Sequence, residues 1–80
     1  RGLKLRGGTA MIVYTPLWET LKKKDITTYT LINKYGLSSS TINRLRHNKG
    51  VTTQLIDDLC KILSCKVEDI MLFEEDNTKN

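Results

Sequence analysis

Residues 27–48 read TTYTLINKYGLSSSTINRLRHN, and this stretch decides the fold of the chain. Thr27 is a residue type that caps the start of a helix. The apolar residues that follow it fall on one helical face: Leu31, Ile32 and Tyr35. Gly36 ends this helix, because glycine adopts the left-handed backbone of a helix end without a clash from a β-carbon. Since Ser38 is a good cap for a second helix, the stretch predicts two helices joined by a tight turn.

The second of these helices has one apolar side and one polar side. At roughly 100° per residue, Ile42 and Leu45 point to the same side, where they would anchor the helix to the rest of the chain. The other side is a contiguous polar arc without an acid: Ser39, Ser40, Asn43, Arg44 and His47. Such an arc suits the approach of an anion, and the major groove of B-DNA admits one α-helix. A solvated surface helix would be equally polar, so the arc alone leaves both interpretations open.

The spacing of the motif resembles the helix-turn-helix of the phage Cro and repressor type, a large family of bacterial and phage DNA-binding regulators. The residues that carry the resemblance are Leu31, Ile32, Gly36, Leu37, Ile42 and Leu45. A later segment, LCKILSCKVEDIM at residues 59–71, resembles the fourth-helix and fifth-helix region of small single-domain members, so the similarity covers residues 12–73. Ile32 departs from the family pattern, which usually has a small residue there, and Thr28 stands where the family often has a phosphate-binding glutamine.

The resemblance implies an all-α, five-helix Cro/repressor-like domain whose recognition helix, residues 39–47, lies in the major groove. The base contacts that it implies come from the polar arc: Ser39, Ser40, Asn43, Arg44 and His47. The phosphate contacts, which give register but no sequence information, are expected from Thr28, Arg46, Asn48 and Lys49. The expected partner is a double-stranded DNA operator, and the expected role is transcriptional regulation, with repression favoured, in the cytoplasm of a bacterium or of a phage host.

The segments on either side of the motif predict three further helices. Thr15 is expected to cap the first, which has proline at its first position and three lysines at its end. Thr52 is expected to cap a fourth helix, whose apolar arc is the widest in the chain and marks it as the centre of the core. A short fifth helix is expected over residues 66–71, with Val67 and Ile70 facing the core.

The two ends of the chain carry separate expectations. Residues 1–10, RGLKLRGGTA, show no helical or strand period and are expected to form a flexible leader of vector origin, or a basic arm if native, before a domain over residues 11–73. The run MIVY at residues 11–14 favours a β-strand, which would pair with residues 71–73 in a short two-stranded sheet. Residues 74–80 are acidic and polar and are expected to fray.

Composition argues against several classes of function. Eighty residues suffice for one domain with a modest core, and no run approaches the apolar length of a membrane span. Cys60 and Cys65 lack the spacing of zinc ligands, so we expect packed, reduced thiols and no metal or cofactor. The single histidine and the serines show no nucleophile–base spacing, and no glycine-rich phosphate loop is present in the sequence, so no enzyme is predicted.

Charge and size bear on the partners of the chain. Residues 1–56 hold ten Lys or Arg against two acids, whereas residues 57–80 hold three against seven, as expected of a protein that meets a polyanion on one side. A homodimer is expected at least on DNA, because such domains usually bind as two copies, each with its recognition helix on one half-site. Nothing in the sequence indicates a small-molecule effector. The alternative function is a protein-interaction module, such as an antitoxin or an adaptor, that keeps this fold and binds a protein through its late apolar run.

Overall fold

The computed structural model describes residues 11–75, so the expectations for residues 1–10 and 76–80 lie outside the described residues. Within this range, four α-helices and one 3-10 turn stand between two short strands. The elements are β1 (Met11–Val13), α1 (Thr15–Lys24), α2 (Thr28–Asn33), α3 (Ser39–Arg46), α4 (Thr53–Leu63), the 3-10 turn (Val67–Asp69) and β2 (Leu72–Glu74).

The core is an aliphatic cluster to which every helix contributes. Its most completely buried side chains are Leu17, Leu31, Leu45, Leu59, Leu63 and Ile70. Burying one such side chain stabilises the folded state by about 1.5–3 kcal/mol relative to leaving it exposed. Because Leu31 and Leu45 belong to the same cluster, both helices of the motif are anchored to one core.

Three helices begin at the side-chain caps that the sequence predicts. Each cap oxygen accepts a hydrogen bond from the backbone amide three residues later: Thr27 from Thr30 at 3.1 Å, Ser38 from Thr41 at 3.1 Å, and Thr52 from Leu55 at 3.2 Å. The first helix is present with its early proline and its three final lysines, but Thr15 is not its cap, since Thr15 is the first helical residue and Tyr14 occupies the cap position. The Tyr14 amide, at this cap position, donates to the side-chain oxygen of Asn48.

The turn between α2 and α3 is built around Gly36, whose φ is +79°. The Gly36 amide donates to the Ile32 carbonyl at 3.2 Å, and the Leu37 amide donates to the Leu31 carbonyl at 3.1 Å. The bond from Gly36 to Ile32 has the span of the αL helix ending, and with the positive φ it confirms the left-handed glycine that the sequence predicts. However, α2 ends at Asn33, so Tyr35 leaves the predicted apolar face and is 39% exposed.

The two strands pair as an antiparallel sheet, which confirms the predicted pairing of the early and late β-prone runs. The partners across the sheet are Met11 with Glu74, Ile12 with Phe73, and Val13 with Leu72. Val13 is buried, whereas both members of the central pair are exposed. The sheet therefore has one side against the domain and an apolar outer side.

The predicted fifth helix over residues 66–71 was wrong, because this segment contains a single 3-10 turn and the described residues hold four α-helices. The Asp69 carboxylate accepts a hydrogen bond from the Lys66 amide at 3.1 Å and closes the turn. The chain becomes extended again at β2, where it pairs with β1. Ile70 is fully buried as predicted, but Val67 is 51% exposed.

Replacing Gly36 by alanine is expected to lower the free energy of unfolding by about 1 kcal/mol. A β-carbon there would meet no atom within 4 Å, so the loss comes from the positive φ alone. Gly50→Ala is the matched control, because that position is equally open and its φ is not positive. In urea denaturation the free energy of unfolding of Gly50→Ala should equal or exceed that of the wild type. A free energy of unfolding that Gly36→Ala leaves unchanged would contradict the need for a left-handed residue at position 36.

Candidate nucleic-acid interface

The polar arc predicted for α3 is exposed along its whole length. Its members are Ser39, Ser40, Asn43, Arg44 and His47, the last of which follows the helix directly. On the opposite side Ile42 and Leu45 are 3% and 0% exposed. The structure therefore brings all five predicted base-contacting residues onto one solvent-facing surface, which we call the α3 polar face.

Arg44 extends from this face toward the loop between α3 and α4, residues 47–52, which we call the α3–α4 loop. Its Nε and Nη2 atoms donate to the Gly50 carbonyl oxygen at 2.9 and 2.8 Å. A guanidinium group carries five N–H donors, so three are left for another acceptor. Arg44 thus closes the loop against its own helix, a contact for which the sequence gives no signal.

The His47 ring is held at the end of α3. Its Nδ1 lies 2.9 Å from the Asn43 backbone carbonyl, an atom that can only accept, so Nδ1 carries the proton in this contact. The other ring nitrogen, Nε2, is then the acceptor of a neutral imidazole. Both His47 and the Asn43 side chain are exposed at the same end of the α3 polar face.

Arg46 lies on the other flank of α3, against α1 and α2. Its guanidinium carbon is 6.0 Å from the centre of the Trp18 ring, within the range of a cation–π contact. Its Nη2 atom lies 3.5 Å from the Thr28 hydroxyl oxygen. Two predicted phosphate-contacting residues, Thr28 and Arg46, therefore meet at one edge of a shallow groove, whose walls also include Ile32, Ser39 and Asn43.

The other two predicted phosphate-contacting residues, Asn48 and Lys49, lie in the α3–α4 loop. Asn48 has a left-handed backbone, with φ of 55°, and its side-chain oxygen accepts a hydrogen bond from the Tyr14 amide at 3.0 Å. The Tyr14 hydroxyl donates to the Lys49 carbonyl at 2.9 Å, and the Lys49 amide donates to the Arg44 carbonyl at 2.9 Å. The Asn48 amide nitrogen and the Lys49 ammonium are the groups that this loop can offer to an anion.

Tyr14 and Trp18 support the site, and sequence reasoning missed both roles. Tyr14 is 3% exposed, and burial raises the pKa of its phenol, while the positive charge of Arg44 opposes that rise. The phenol is therefore a neutral donor near pH 7. Asn48 is 34 positions from Tyr14 in the chain and Lys49 is 35 positions from it. No local sequence pattern indicates a contact over such a separation.

The two cysteines of the described residues are not part of a metal-binding cluster. Cys60 and Cys65 are half-buried free thiols packed against the core. Burial, and then the nearby Cys60 and Asp69, raise the pKa of the Cys65 thiol. Residues 11–75 contain no group of three or more His, Cys, Asp or Glu side chains placed to hold a metal ion. In the same range, no helix has the length and apolar character needed to cross a membrane.

Comparison with known proteins adds two findings to this geometry. The family model of the Cro/C1-type HTH DNA-binding domain matches residues 16–76. A crystal structure of transcriptional regulator VanUg is similar to this chain, with a TM-score of 0.77 and 26% sequence identity, and the match covers 92% of this chain and 99% of that one. No curated protein sequence matches the chain.

Ser38→Ala is expected to lower the free energy of unfolding by about 1 kcal/mol, because the Thr41 amide loses its acceptor at the start of α3. Ser39→Ala is the matched control, since Ser39 is also an exposed serine but is the first residue of the helix and not its cap, and alanine is the better helix former. Thermal unfolding of both variants measures the difference. Equal stabilities would mean that the Ser38 cap does not stabilise α3.

Proposed function

The chain belongs to the Cro/C1-type helix-turn-helix DNA-binding domain family, and we propose that it is a transcriptional regulator that binds a specific double-stranded DNA operator. The observation that carries the proposal is the α3 polar face, an exposed and acid-free surface on a helix anchored by Ile42 and Leu45. Repression is the proposed role, because a domain that occupies an operator excludes other proteins from that DNA.

In the proposed complex α3 lies in the major groove and α2 braces it across the backbone. The Arg44 guanidinium suits O6 and N7 of guanine, and the Asn43 amide suits N6 and N7 of adenine. Each such pair discriminates against a wrong base by about 1–3 kcal/mol. Ser39 and Ser40 would contact bases through their hydroxyls, and His47 through Nε2. To reach a base, Arg44 either releases the Gly50 carbonyl or uses its three free donors.

Cations on both flanks of α3 would hold the phosphates that border the groove. Arg46, supported by Trp18 and next to Thr28, stands on the flank toward α1 and α2. Lys49 and the Asn48 amide stand on the flank of the α3–α4 loop. These contacts would position the helix without reading sequence, so they would contribute equally to specific and nonspecific binding.

A homodimer is the proposed binding form. Ile12 and Phe73 are direct partners across the sheet and therefore share one side of it. They are 38% and 57% exposed. An apolar surface of this kind often marks an interaction site, and a second copy of the same sheet offers a matching apolar surface.

Arg44→Ala is expected to weaken binding to a selected operator about tenfold or more, and binding to random duplex much less, because a base contact carries sequence information. Lys49→Ala should weaken binding to both DNAs alike and reduce the dependence of log K on log salt by about one unit, because a phosphate contact releases counterions. Fluorescence anisotropy over a range of salt concentrations, with an operator selected from a random duplex pool, measures both effects.

The same titration tests the proposed function as a whole. A DNA-binding domain with phosphate contacts should bind mixed duplex at low salt and release it as salt rises to about 0.2 M. Equal losses on both DNAs for Arg44→Ala would remove Arg44 from the base contacts. A wild-type chain that binds neither DNA would instead favour the protein-interaction module, with the outer side of the sheet as its binding surface.

Phe73→Ser is expected to weaken self-association about tenfold or more, because burial of a phenylalanine side chain contributes about 1.5–3 kcal/mol. Tyr35→Ser is a control, since Tyr35 is also an exposed aromatic residue but lies outside the sheet. Equilibrium sedimentation at micromolar concentration, with and without DNA, compares both variants with the wild type. A wild-type chain that stays monomeric under both conditions would refute the dimer.

A further inference from the structure

Tyr14 joins two parts of the molecule that have different tasks in the proposed function. It follows β1 directly, so the pairing of β1 with β2 fixes the chain that leads into it. It also makes both long-range hydrogen bonds to the α3–α4 loop, through its amide to Asn48 and through its hydroxyl to Lys49. The residues that it holds are those that the proposed function assigns to phosphate binding.

We propose that Tyr14 is a positioning residue for DNA binding, which holds the α3–α4 loop in the conformation that contacts phosphate. The inference rests on the proposed function, because it assigns Tyr14 a part in the same interface. Tyr14 is itself 3% exposed and would touch no DNA. It acts through the Asn48 side chain and the Lys49 backbone carbonyl.

The contacts of Tyr14 add to the local bonds that end α3 at Asn48. Asn48 has a φ of 55°, a left-handed backbone that asparagine adopts more readily than most L-residues but less freely than glycine. The Tyr14 amide binds the Asn48 side chain and thereby favours this conformation in the folded chain. Without that bond and the bond to the Lys49 carbonyl, the loop would sample other conformations.

Order in the α3–α4 loop before binding favours affinity, because the loop then loses less conformational entropy in the complex. A loop that is disordered before binding loses conformational entropy in the complex, and this loss weakens the observed affinity. The Tyr14 hydroxyl fixes the Lys49 carbonyl on one side of the residue, while the Arg44 carbonyl accepts from the Lys49 amide on the other. If Arg44 moves to a base and releases Gly50, Tyr14 becomes the main side-chain support of the loop.

The test compares Tyr14→Phe with a matched loss of another buried hydroxyl. Tyr14→Phe keeps the buried ring and removes the donor to the Lys49 carbonyl. Thr20→Val is the control, because Thr20 is 8% exposed and its hydroxyl donates to the Asp69 carbonyl at 2.8 Å, away from the loop. Both variants lose one side-chain hydrogen bond to a backbone carbonyl, so a loss of general stability should affect them alike.

Tyr14→Phe should weaken binding to the operator and to random duplex by about threefold to tenfold, whereas Thr20→Val should change neither. The effect of Tyr14→Phe on affinity should largely disappear in the Lys49→Ala background. In the proposal Tyr14 acts on DNA binding through the phosphate contact of the Lys49 side chain, which that background lacks. Equal effects of Tyr14→Phe and Thr20→Val, or no effect of either, would overturn the proposal. A full Tyr14→Phe effect in the Lys49→Ala background would also overturn it.

Amide hydrogen exchange of the free full-length chain separates this inference from the proposed function. The Lys49 amide, which donates to the Arg44 carbonyl, should exchange faster in Tyr14→Phe than in the wild type and should be unaffected by Thr20→Val. Unchanged exchange in Tyr14→Phe would overturn the positioning of the loop, whether or not the chain binds DNA. Faster exchange in a chain that binds no DNA would support the positioning of the loop and overturn the proposed function alone.

Discussion

The domain depends on the reversal of the backbone at Gly36, which fixes α3 relative to α2. Two hydrogen bonds close the end of α2 there, and Leu31 and Leu45 bury the facing sides of the two helices in one cluster. Because the apolar side of α3 has to stay in that core, its polar side has to face solvent. The direction of the α3 polar face, and the meeting of Arg46 with Thr28 beside it, both follow from this arrangement.

The polar groups around α3 already have partners before any ligand binds. Arg44 is held by the Gly50 carbonyl, the His47 ring by the Asn43 carbonyl, and Arg46 by Trp18 and Thr28. Long side chains held in this way have less freedom to lose on binding than free ones, which favours affinity. Binding then exchanges hydrogen bonds within the protein for bonds to DNA, and the net gain depends on how well the DNA groups match the ones they replace.

The sheet of β1 and β2 connects the two proposed interaction surfaces, which are its own outer side and the α3–α4 loop. Its outer side carries the exposed Ile12–Phe73 pair, and its first strand runs directly into Tyr14, which binds the α3–α4 loop. A contact that stabilised the sheet would therefore also favour order in the loop. Self-association and phosphate binding would then be linked by one short segment of chain, with no need for a second domain.

The sequence by itself determined the parts of the fold that depend on neighbours within about one helical turn. The caps at Thr27, Ser38 and Thr52, the left-handed Gly36 and the exposed arc of α3 are of this kind, because each is set by bonds or spacings of a few residues. Tertiary structure alone decided the replacement of the fifth helix by a 3-10 turn and the contacts of Tyr14 and Arg44. These depend on groups brought together by the folded core, such as Tyr14 and Lys49, which are 35 positions apart, and a sequence pattern carries no record of such distances.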